Sequence, residues 1–334
     1  MKPAVTVIGA GFWGRNLLRN FHALHALAGI CDADPALLAN AGKAYANAAK
    51  YSRLEDVLHD DPAPAVVIAT PAETHARLVR AALVAGKDVF VEKPLCLSVD
   101  EGAALVRLAR DRERILMVGH LLWYHPAILK LKELVDAGEL GAIRYIYSHR
   151  LNIGKIRREE NILWSFAPHD ISVILGLLGC MPEHVQSQGG YYIHRDMADV
   201  TVSLLSFPHG IKAHIFVSWL HPFKEQKLVV VGEKRMAVFD DVRDSNKLVL
   251  YPHTIEWTGN VPVAHKAEAD PVPLDGGEPL RIECAHFLDC IATRSVPRTD
   301  GEEGLRVLRI LQQCEESLKY ERDQTAIPTG AVKK

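Results

Sequence analysis

The first third of the chain alternates short apolar segments with longer segments of helical periodicity. Apolar, β-branched segments recur in "AVTVIGAG", "HALAGICDAD", "PAVVIATP", "DVFVEKP" and "ILMVGH". The segments between them, such as "FWGRNLLRNFHAL" and "THARLVRAALVAGK", place apolar residues three and four positions apart. Continuous apolar strands separated by amphipathic helices are typical of a parallel sheet covered on both faces. The pattern therefore predicts a doubly wound α/β domain over residues 1–120.

From about residue 141 the pattern changes to longer strands. "AIRYIYSHRLN" alternates polar and apolar residues, while "DVTVSLLSFPHGIKAHIFVSWL" and "KLVVVGEKRMAVFDD" are typical of hairpins. We expect a helix over 167–178 to cover one face of the sheet. The tail segments "EPLRIECAHFLDCIAT" and "GEEGLRVLRILQQCEESL" have helical apolar spacing. Residues 121–334 are thus predicted to form an α+β domain on a large, mostly antiparallel open sheet, with a cleft between the two domains.

The composition is that of an ordinary globular protein long enough for two domains. The 334 residues are 48% apolar and 24% charged, and the formal net charge is −2. This balance gives no bulk attraction to nucleic acid or to a membrane surface. Because the sequence has neither a leader pattern nor an apolar run of about 18 residues, we expect a cytoplasmic protein without a membrane span. The six cysteines include no C-x-x-C pair, which favours reduced thiols over a zinc site.

Three glycines follow the first predicted strand and open the first predicted helix. In "GAGFWG", Gly9 permits a tight turn, Gly11 lets a pyrophosphate approach the backbone, and Gly14 allows close packing of helix and strand. Asp32 ends the next strand, where a carboxylate can bind the ribose hydroxyls of adenosine and would repel a 2′-phosphate. Arg15 lies nearby, and an arginine tolerates a 2′-phosphate. We predict a dinucleotide site that favours NAD over NADP; the alternative is a glycine-rich turn in an unliganded domain.

Further motifs resemble those of one family, the Gfo/Idh/MocA oxidoreductases, along nearly the whole chain. They are "GAGFWG", "ATPAETH", "VEKPL", "ELVDAGELG" and a downstream helix that bears a histidine. The resemblance implies a Rossmann domain followed by a substrate-binding and oligomerisation domain. It also implies nicotinamide-dependent oxidation or reduction of one hydroxyl on a sugar or cyclitol, by dimers or tetramers formed through the open sheet face.

One segment narrows the resemblance to a branch of the family. "LNIGKIRREENILWSFAPHDISVIL" is most similar to a branch that oxidises the 3-hydroxyl of UDP-N-acetylglucosamine to the 3-keto sugar. In that branch an aminotransferase converts the keto sugar to a 3-amino sugar, so the resemblance implies functional coupling to such an enzyme.

The resemblance also implies a cofactor site on the matching motifs. NAD is expected to lie across the glycine turn, with its nicotinamide near Thr70, Pro71 and Glu92. The residues predicted to contact the cofactor are Gly9, Gly11, Phe12, Trp13, Gly14, Asp32, Thr70, Pro71, His75, Glu92 and Lys93.

Two residues, Lys93 and His169, are predicted to act on the reacting hydroxyl. Lys93 follows a strand of the parallel sheet, and the resemblance implies that it hydrogen-bonds the hydroxyl and that its bond to Pro94 is cis. An N-cap at Ser165, with Pro168 in the first turn, would put His169 near a helix N-terminus, which keeps an imidazole neutral and competent as a general base. In this interpretation His169 takes the proton and Lys93 polarises the oxygen, and the reverse assignment stays open. The alternatives are an interior structural histidine and a solvated lysine.

Asp170 departs from the family pattern. The family often carries Asp-x-x-x-His here, but Ser165 stands four residues before His169. Asp170 points roughly 100° away from His169 around a helix, so it is expected to orient another polar group.

The loop before this helix is basic, and a nucleotide sugar needs cationic or amide donors for its pyrophosphate. The cations Lys155, Arg157 and Arg158 are expected to bind the diphosphate. Asn152 and Asn161 are expected to bind the sugar or its N-acetyl group, and Trp164 an apolar sugar face. The alternative is a charged surface loop. The full predicted substrate set is Lys93, Tyr124, Arg150, Asn152, Lys155, Arg157, Asn161, Trp164, His169 and Asp170.

Several alternatives stay open. Tyr124 fits core packing as well as a sugar contact. The substrate can instead be the uronate of the same nucleotide sugar or a free inositol. A non-catalytic sensor of NAD(H) or a sugar is disfavoured because Lys93 and His169 are both present. The 16 histidines are dispersed, and no metal site is expected.

Overall fold

The computed structural model describes residues 3–154, 156–158 and 160–325. The strands, in chain order, are Val5–Ile8 (β1), Leu27–Cys31 (β2), Ala49–Tyr51 (β3), Ala65–Ile68 (β4), Asp88–Glu92 (β5), Leu116–Gly119 (β6), Ile143–Leu151 (β7), His184–Gly190 (β8), Val200–Ser206 (β9), Lys212–Ser218 (β10), Glu225–Gly232 (β11), Met236–Asp240 (β12), Leu248–Tyr251 (β13), Thr254–Thr258 (β14), Val261–His265 (β15) and Asp270–Pro271 (β16). The α-helices are Gly14–Ala23 (α1), Pro35–Ala44 (α2), Leu54–Asp60 (α3), Ala72–Val84 (α4), Val99–Asp111 (α5), Pro126–Asp136 (α6), Ile162–Leu178 (α7), Pro279–Thr293 (α8) and Gly301–Thr325 (α9).

The chain divides into two compact units, each made of two stretches of sequence. The first contains Met1–Pro126 and Asp275–Arg309, and the second contains Ala127–Leu274 and Ile310–Lys334. The predicted boundary after residue 120 lies near the first change of unit, but the prediction misses the return of Asp275–Arg309 to the first unit. This return has a packing cause, because α8 lies against α1, and the ring of Phe287 lies 5.6 Å from that of Phe90 in β5.

The first unit is the predicted doubly wound domain. Its six strands are parallel, in the order β3-β2-β1-β4-β5-β6. The strand order reverses between β1 and β4, which is where such sheets bind ligands at their carboxyl ends. Apart from the edge strand β3, whose residues are exposed or partly exposed, the strands are mostly buried, as the continuous apolar segments predict. Local sequence sets the helix starts: Asp34 caps α2 by accepting from the Ala36 N–H at 2.8 Å.

The second unit is built on an eight-stranded sheet in the order β16-β13-β12-β11-β7-β10-β9-β8. All pairs are antiparallel except β7 with β10. The two predicted hairpins are present as β9–β10 and β11–β12, which confirms the mostly antiparallel sheet. One face is covered by α7, which packs on β7, β9 and β10. The later part of α9 lies along β8, where the Ser187 N–H donates to Ser317 Oγ at 2.8 Å.

All six cysteines are free. Among the described residues, no helix combines the length and the apolar character needed to cross a bilayer.

Candidate active site

The glycine turn between β1 and α1 has the predicted geometry. Gly9 has φ +99°, and a Cβ there would lie 2.8 Å from the carbonyl oxygen of Ala69. A Cβ on Gly14 would lie 1.9 Å from the carbonyl oxygen of Gly9, so α1 packs directly against the turn. Among the described residues other than Gly11 and its two chain neighbours, no atom lies within 4 Å of the Cβ position on Gly11. The backbone at Gly11 therefore faces open space, which fits the close approach of a pyrophosphate.

The carboxylate of Asp32 is fixed beside this turn. Its Oδ2 accepts from the Ala10 N–H at 2.7 Å, and its Oδ1 accepts from the Asp34 N–H at 2.8 Å. Asp32 directly follows β2 and is partly exposed. An oriented carboxylate at this position fits the ribose hydroxyls of NAD and would repel a 2′-phosphate.

The "ATPAETH" motif forms the loop after β4 and the start of α4. His75 is 1% exposed, with Nδ1 2.7 Å from the carbonyl oxygen of Pro94 and Nε2 2.9 Å from that of Thr70. A neutral imidazole carries one N–H, so His75 donates to one of these two main-chain oxygens at a time, and its ring lies between the loop after β4 and the loop after β5. This arrangement supports a positioning role for His75, and its predicted contact with the cofactor stays a prediction. Burial lowers the pKa of His75. Pro71 directly precedes α4, and Thr70 Oγ1 lies 2.6 Å from Thr74 Oγ1.

The "EKP" motif lies at the carboxyl end of β5. The Lys93–Pro94 peptide bond is cis, and the Lys93 side chain is partly exposed. Trp13 Nε1 donates to Glu92 Oε1, which joins the glycine turn to the end of β5. Burial raises the pKa of Glu92, although the Trp13 hydrogen bond and the charge of Lys93 oppose the rise. Phe12, also predicted to contact the cofactor, is 87% exposed on the turn.

In the second unit, α7 begins earlier than predicted. Asn161 is its N-cap, and Asn161 Oδ1 accepts from the Trp164 N–H at 3.2 Å. Ser165 is therefore inside the helix, and the predicted N-cap at Ser165 is wrong. Asn caps a helix as well as Ser does, and starting the helix at Ile162 fully buries that side chain.

His169 consequently lies in the third turn of α7, and Pro168 lies in the helix interior. The effect of a helix N-terminus is confined to about the first turn. The predicted influence of the helix dipole on the His169 ring is therefore wrong. His169 is nevertheless partly exposed, whereas its neighbours Pro168 and Asp170 are buried. This exposure leaves part of His169 accessible to a ligand, although its Nδ1 atom is buried.

Asp170 orients Arg150. This agrees with the expectation that Asp170 serves a polar group other than His169. Arg150 Nε donates to Asp170 Oδ2 at 2.9 Å, and Arg150 Nη2 and Ser148 Oγ donate to Oδ1 at 3.2 and 2.6 Å. Asp170 is 2% exposed. Both carboxylate oxygens are thus engaged inside the unit, which disfavours the predicted substrate contact of Asp170. Nearby Asp170 raises the pKa of Arg150 against the effect of burial.

The loop before α7 contains most of the other predicted substrate residues. Lys155 lies outside the described residues. Arg157 forms an ion pair with Glu160 at 3.1 Å, and the Asn152 N–H donates to the Ser218 carbonyl oxygen at 3.1 Å. Both the diphosphate role and the charged surface loop remain compatible with this arrangement.

Asn161 and Trp164 are brought together by Glu315 of α9. Asn161 Nδ2 and Trp164 Nε1 donate to Glu315 Oε2 at 2.7 and 3.2 Å. The polar atoms of these two predicted substrate residues are therefore partly engaged by a residue that the sequence analysis did not select.

Tyr124 is a core residue of the first unit. It is fully buried, and its hydroxyl lies 3.0 Å from Thr299 Oγ1. This placement supports the core-packing alternative over the predicted sugar contact.

Sequence reasoning also missed buried acids in the first unit. Glu283 of α8 is fully buried, and both of its carboxyl oxygens lack a hydrogen-bond partner among the described residues. Burial, together with the charge of Glu92, raises the pKa of Glu283 well above its usual value. Its position in the apolar stripe with Leu280 and Phe287 was the available signal. A second buried acid is Glu303 of α9, whose Oε2 lies 2.6 Å from His120 Nδ1.

Comparisons with known proteins agree with this geometry. Residues 4–120 match the model of the oxidoreductase family with an NAD-binding Rossmann fold, and residues 128–238 match the GFO/IDH/MocA C-terminal domain. The chain is similar to UDP-N-acetylglucosamine 3-dehydrogenase of Acidithiobacillus ferrooxidans, at 29% identity over 303 residues that cover 90% of this chain and 93% of the relative.

A solved structure of that relative superimposes with a TM-score of 0.84 at 27% identity, covering 95% of this chain and 97% of the other. The chain is also similar to scyllo-inositol 2-dehydrogenase (NAD⁺) of Bacillus subtilis, at 25% identity over 256 residues, or 72% of this chain and 71% of the relative. The two family matches together span about two thirds of the chain, and the chain belongs to the Gfo/Idh/MocA family of NAD-binding oxidoreductases.

Proposed function

We propose that this protein oxidises the 3-hydroxyl of UDP-N-acetylglucosamine to the 3-keto sugar with NAD⁺ as the hydride acceptor. The observation that carries this proposal is similarity over the length of both chains to a UDP-N-acetylglucosamine 3-dehydrogenase, in sequence and in fold. The presence of both Lys93 and His169 supports an active enzyme over a non-catalytic sensor.

The cofactor end of the reaction depends on residues of the first unit. The glycine turn and Asp32 would hold the pyrophosphate and the ribose of NAD, whose nicotinamide supplies the hydride acceptor when it is bound. His75 and Trp13 would keep the loops after β4 and β5 in register with that turn. In this proposal Thr70, Pro71 and Glu92 lie near the nicotinamide.

Lys93 and His169 share the proton chemistry in this proposal. The Lys93 ammonium would hydrogen-bond the reacting oxygen and stabilise negative charge that develops on it. The His169 imidazole would accept the hydroxyl proton, because imidazole is the usual side-chain base near neutral pH. Arg150, held by Asp170, would be a further substrate contact with a fixed orientation.

Inositol oxidation is the second candidate function. One observation favours it: a relative with inositol dehydrogenase activity matches 72% of this chain. Its identity is lower and its coverage shorter than those of the nucleotide-sugar relative, so we place it second.

We also propose that the protein forms a homo-oligomer through the sheet face opposite α7. On that face β9 exposes Val202 and Leu204, which are 39% and 51% exposed, beside His214 and Phe216 of β10. Apolar and aromatic side chains that recur on one sheet face favour burial against a second sheet. An aminotransferase that consumes the keto sugar is proposed as the functional partner.

A spectrophotometric substrate panel tests the proposed function. Purified protein and NAD⁺ would be mixed with UDP-N-acetylglucosamine, its uronate, UDP-glucose or myo-inositol, and an aminotransferase with an amino donor would remove the keto product. The proposal expects reduced nicotinamide absorbance with UDP-N-acetylglucosamine. Turnover of inositol without turnover of any nucleotide sugar would contradict the substrate assignment while leaving the family assignment intact.

A further inference from the structure

A cavity of about 260 Å³ lies in the second unit, beside the start of α7. It is bordered by the loop between β8 and β9 and by the later part of α9. Its polar lining consists of Asn161, Tyr191, Asp196, Glu315, Lys319 and Arg322. This volume is below the range of about 300–1,000 Å³ that whole drug-sized ligands occupy, so the cavity fits part of a larger ligand.

Glu315 is the fixed polar group of the cavity. Its Oε2 accepts from Asn161 Nδ2 and Trp164 Nε1, at 2.7 and 3.2 Å, and its Oε1 lies 3.7 Å from Lys319 Nζ. The two donors orient the carboxylate while lone pairs remain on both oxygens. A carboxylate held in this way is suited to accept hydrogen bonds from two neighbouring hydroxyl groups.

The charges of the cavity balance one another. Arg322 lies 3.4 Å from Asp196, and Lys319 faces Glu315, so two cations accompany two anions. A diphosphate would gain little from such a lining, whereas a neutral group rich in hydroxyls can use each donor and acceptor. Tyr191 adds an aromatic ring, with the Arg322 guanidinium 5.9 Å from its centre. Hydroxyl acceptors next to an aromatic ring suit a ribose attached to a base.

We propose that this cavity binds the nucleoside part of the substrate, with the ribose diol on Glu315 and the base beside Tyr191. This assignment rests on the proposed function, which supplies a nucleotide sugar as the ligand. Asn161 at the cavity stands eight residues before His169, or about 12 Å along the helix axis at 1.5 Å per residue. An extended nucleotide sugar separates its base from its hexose by a comparable length, with the diphosphate between them.

Binding measurements on the full chain test this assignment. Isothermal titration would compare uridine, UDP and adenosine on the wild type, Glu315→Gln and Tyr191→Ala. Glu316→Gln and Tyr320→Ala are matched controls, because both residues are exposed on α9 outside the cavity. We expect uridine and UDP to bind the wild type and both controls, and to bind the two cavity variants roughly tenfold more weakly. With UDP-N-acetylglucosamine, KM should rise by a similar factor in the cavity variants while kcat stays within about twofold.

The possible results distinguish failure of the nucleoside assignment from failure of the proposed function. Equal UDP affinity in the wild type and the cavity variants, or tighter binding of adenosine than of uridine, would overturn the nucleoside assignment. Oxidation of UDP-N-acetylglucosamine with unchanged KM in those variants would overturn it and leave the proposed function standing. Loss of UDP affinity in those variants without oxidation of any nucleotide sugar would uphold the cavity assignment and overturn the proposed function.

Discussion

Asp170 shows what sequence spacing conveys about a single residue. Its distance from His169 around the helix was enough to predict that it serves another group. The identity of that group, Arg150 on β7, depends on strand register, which local sequence does not encode. The same limit applies to Tyr124, whose burial depends on Thr299 and its neighbours far along the chain.

Removing Asp170 should leave the mostly buried Arg150 side chain, which is 12% exposed, without its hydrogen-bonded counter-charge. We expect Asp170→Leu to lower the free energy of unfolding by about 3–5 kcal/mol, and the double variant Asp170→Leu with Arg150→Met to regain most of it. Urea denaturation of the two single variants and the double variant measures this coupling. If Asp170→Leu and the double variant lost the same free energy of unfolding, this would contradict a buried pair of Asp170 and Arg150.

His169 is the proposed base, and its removal should affect chemistry more than cofactor binding. We expect His169→Asn to lower kcat by roughly 10²–10⁴ with the Kd of NAD unchanged, and to remove the loss of activity at acid pH that protonation of a base causes. Steady-state kinetics across pH and NAD titration measure both effects. His209→Asn is the matched control, because His209 is exposed at a hairpin turn with φ +61°. Retention of the acid limb in His169→Asn would instead favour Lys93 as the base.

At the scale of elements, apolar periodicity predicted most strands and most helices, but it missed the short strand β3, the strand β8 and the strands β13–β16. The ends of helices were also harder to predict. The glycine turn was predictable because its constraint is local: φ at Gly9 and the contact of Gly14 with Gly9 involve residues a few positions apart. The start of α7 was mispredicted because Asn161 and Ser165 are both good caps. The choice between these two N-caps is decided by burial of the first helical turn against the rest of the unit, which is a tertiary effect.

The glycine turn allows a matched pair of substitutions. Gly14→Ala places a methyl group 1.9 Å from a carbonyl oxygen, so the turn must move and we expect both NAD binding and the thermal midpoint to fall. The added methyl group of Gly11→Ala meets no atom within 4 Å among the described residues beyond its chain neighbours, so we expect a nearly unchanged thermal midpoint with weaker NAD binding. Thermal unfolding with and without NAD distinguishes the two. Equal destabilisation by both substitutions would contradict the proposed use of the space at Gly11.

At the scale of the whole molecule, the fold class was predictable from the sequence, but the set of chain segments that forms each unit was not. Alternating strands and helices followed by longer, alternating strands are visible in the sequence. The return of Asp275–Arg309 to the first unit is not, because an amphipathic helix such as α8 shows that it has a buried face without showing where it packs. The cavity beside Glu315 was missed for the same reason, since it joins α7 to a helix about 150 residues later.

Stability should depend on pH through Glu283. Because burial raises its pKa, the folded protein keeps a proton that the unfolded chain releases above about pH 4.5. The contribution of the protonated Glu283 to the free energy of unfolding is therefore present at acid pH and lost as the pH rises. We expect the free energy of unfolding of Glu283→Gln, relative to wild type, to increase from pH 5 to pH 8, by at most about 1.4 kcal/mol per pH unit. Glu316→Gln should show no such trend in urea denaturation; a pH-independent difference for Glu283→Gln would contradict a buried, protonated carboxyl.

The proposed oligomer gives a further test at this scale. Placing a charge in the exposed apolar face, as in Leu204→Glu, should dissociate the protein to a smaller species in sedimentation velocity experiments. Val296→Glu is the control, since Val296 is 74% exposed in a loop of the other unit. An unchanged sedimentation coefficient for Leu204→Glu would place the interface elsewhere.

Isotope transfer tests the proposed reaction most directly. UDP-N-acetylglucosamine carrying deuterium at C3 of the hexose would be incubated with the protein and NAD⁺, and the reduced cofactor would be analysed by mass spectrometry. Oxidation of the 3-hydroxyl predicts reduced nicotinamide one mass unit heavier than that formed from unlabelled substrate. Reduced cofactor without deuterium would place the oxidation at another carbon, and the absence of reduced cofactor would contradict the proposed substrate.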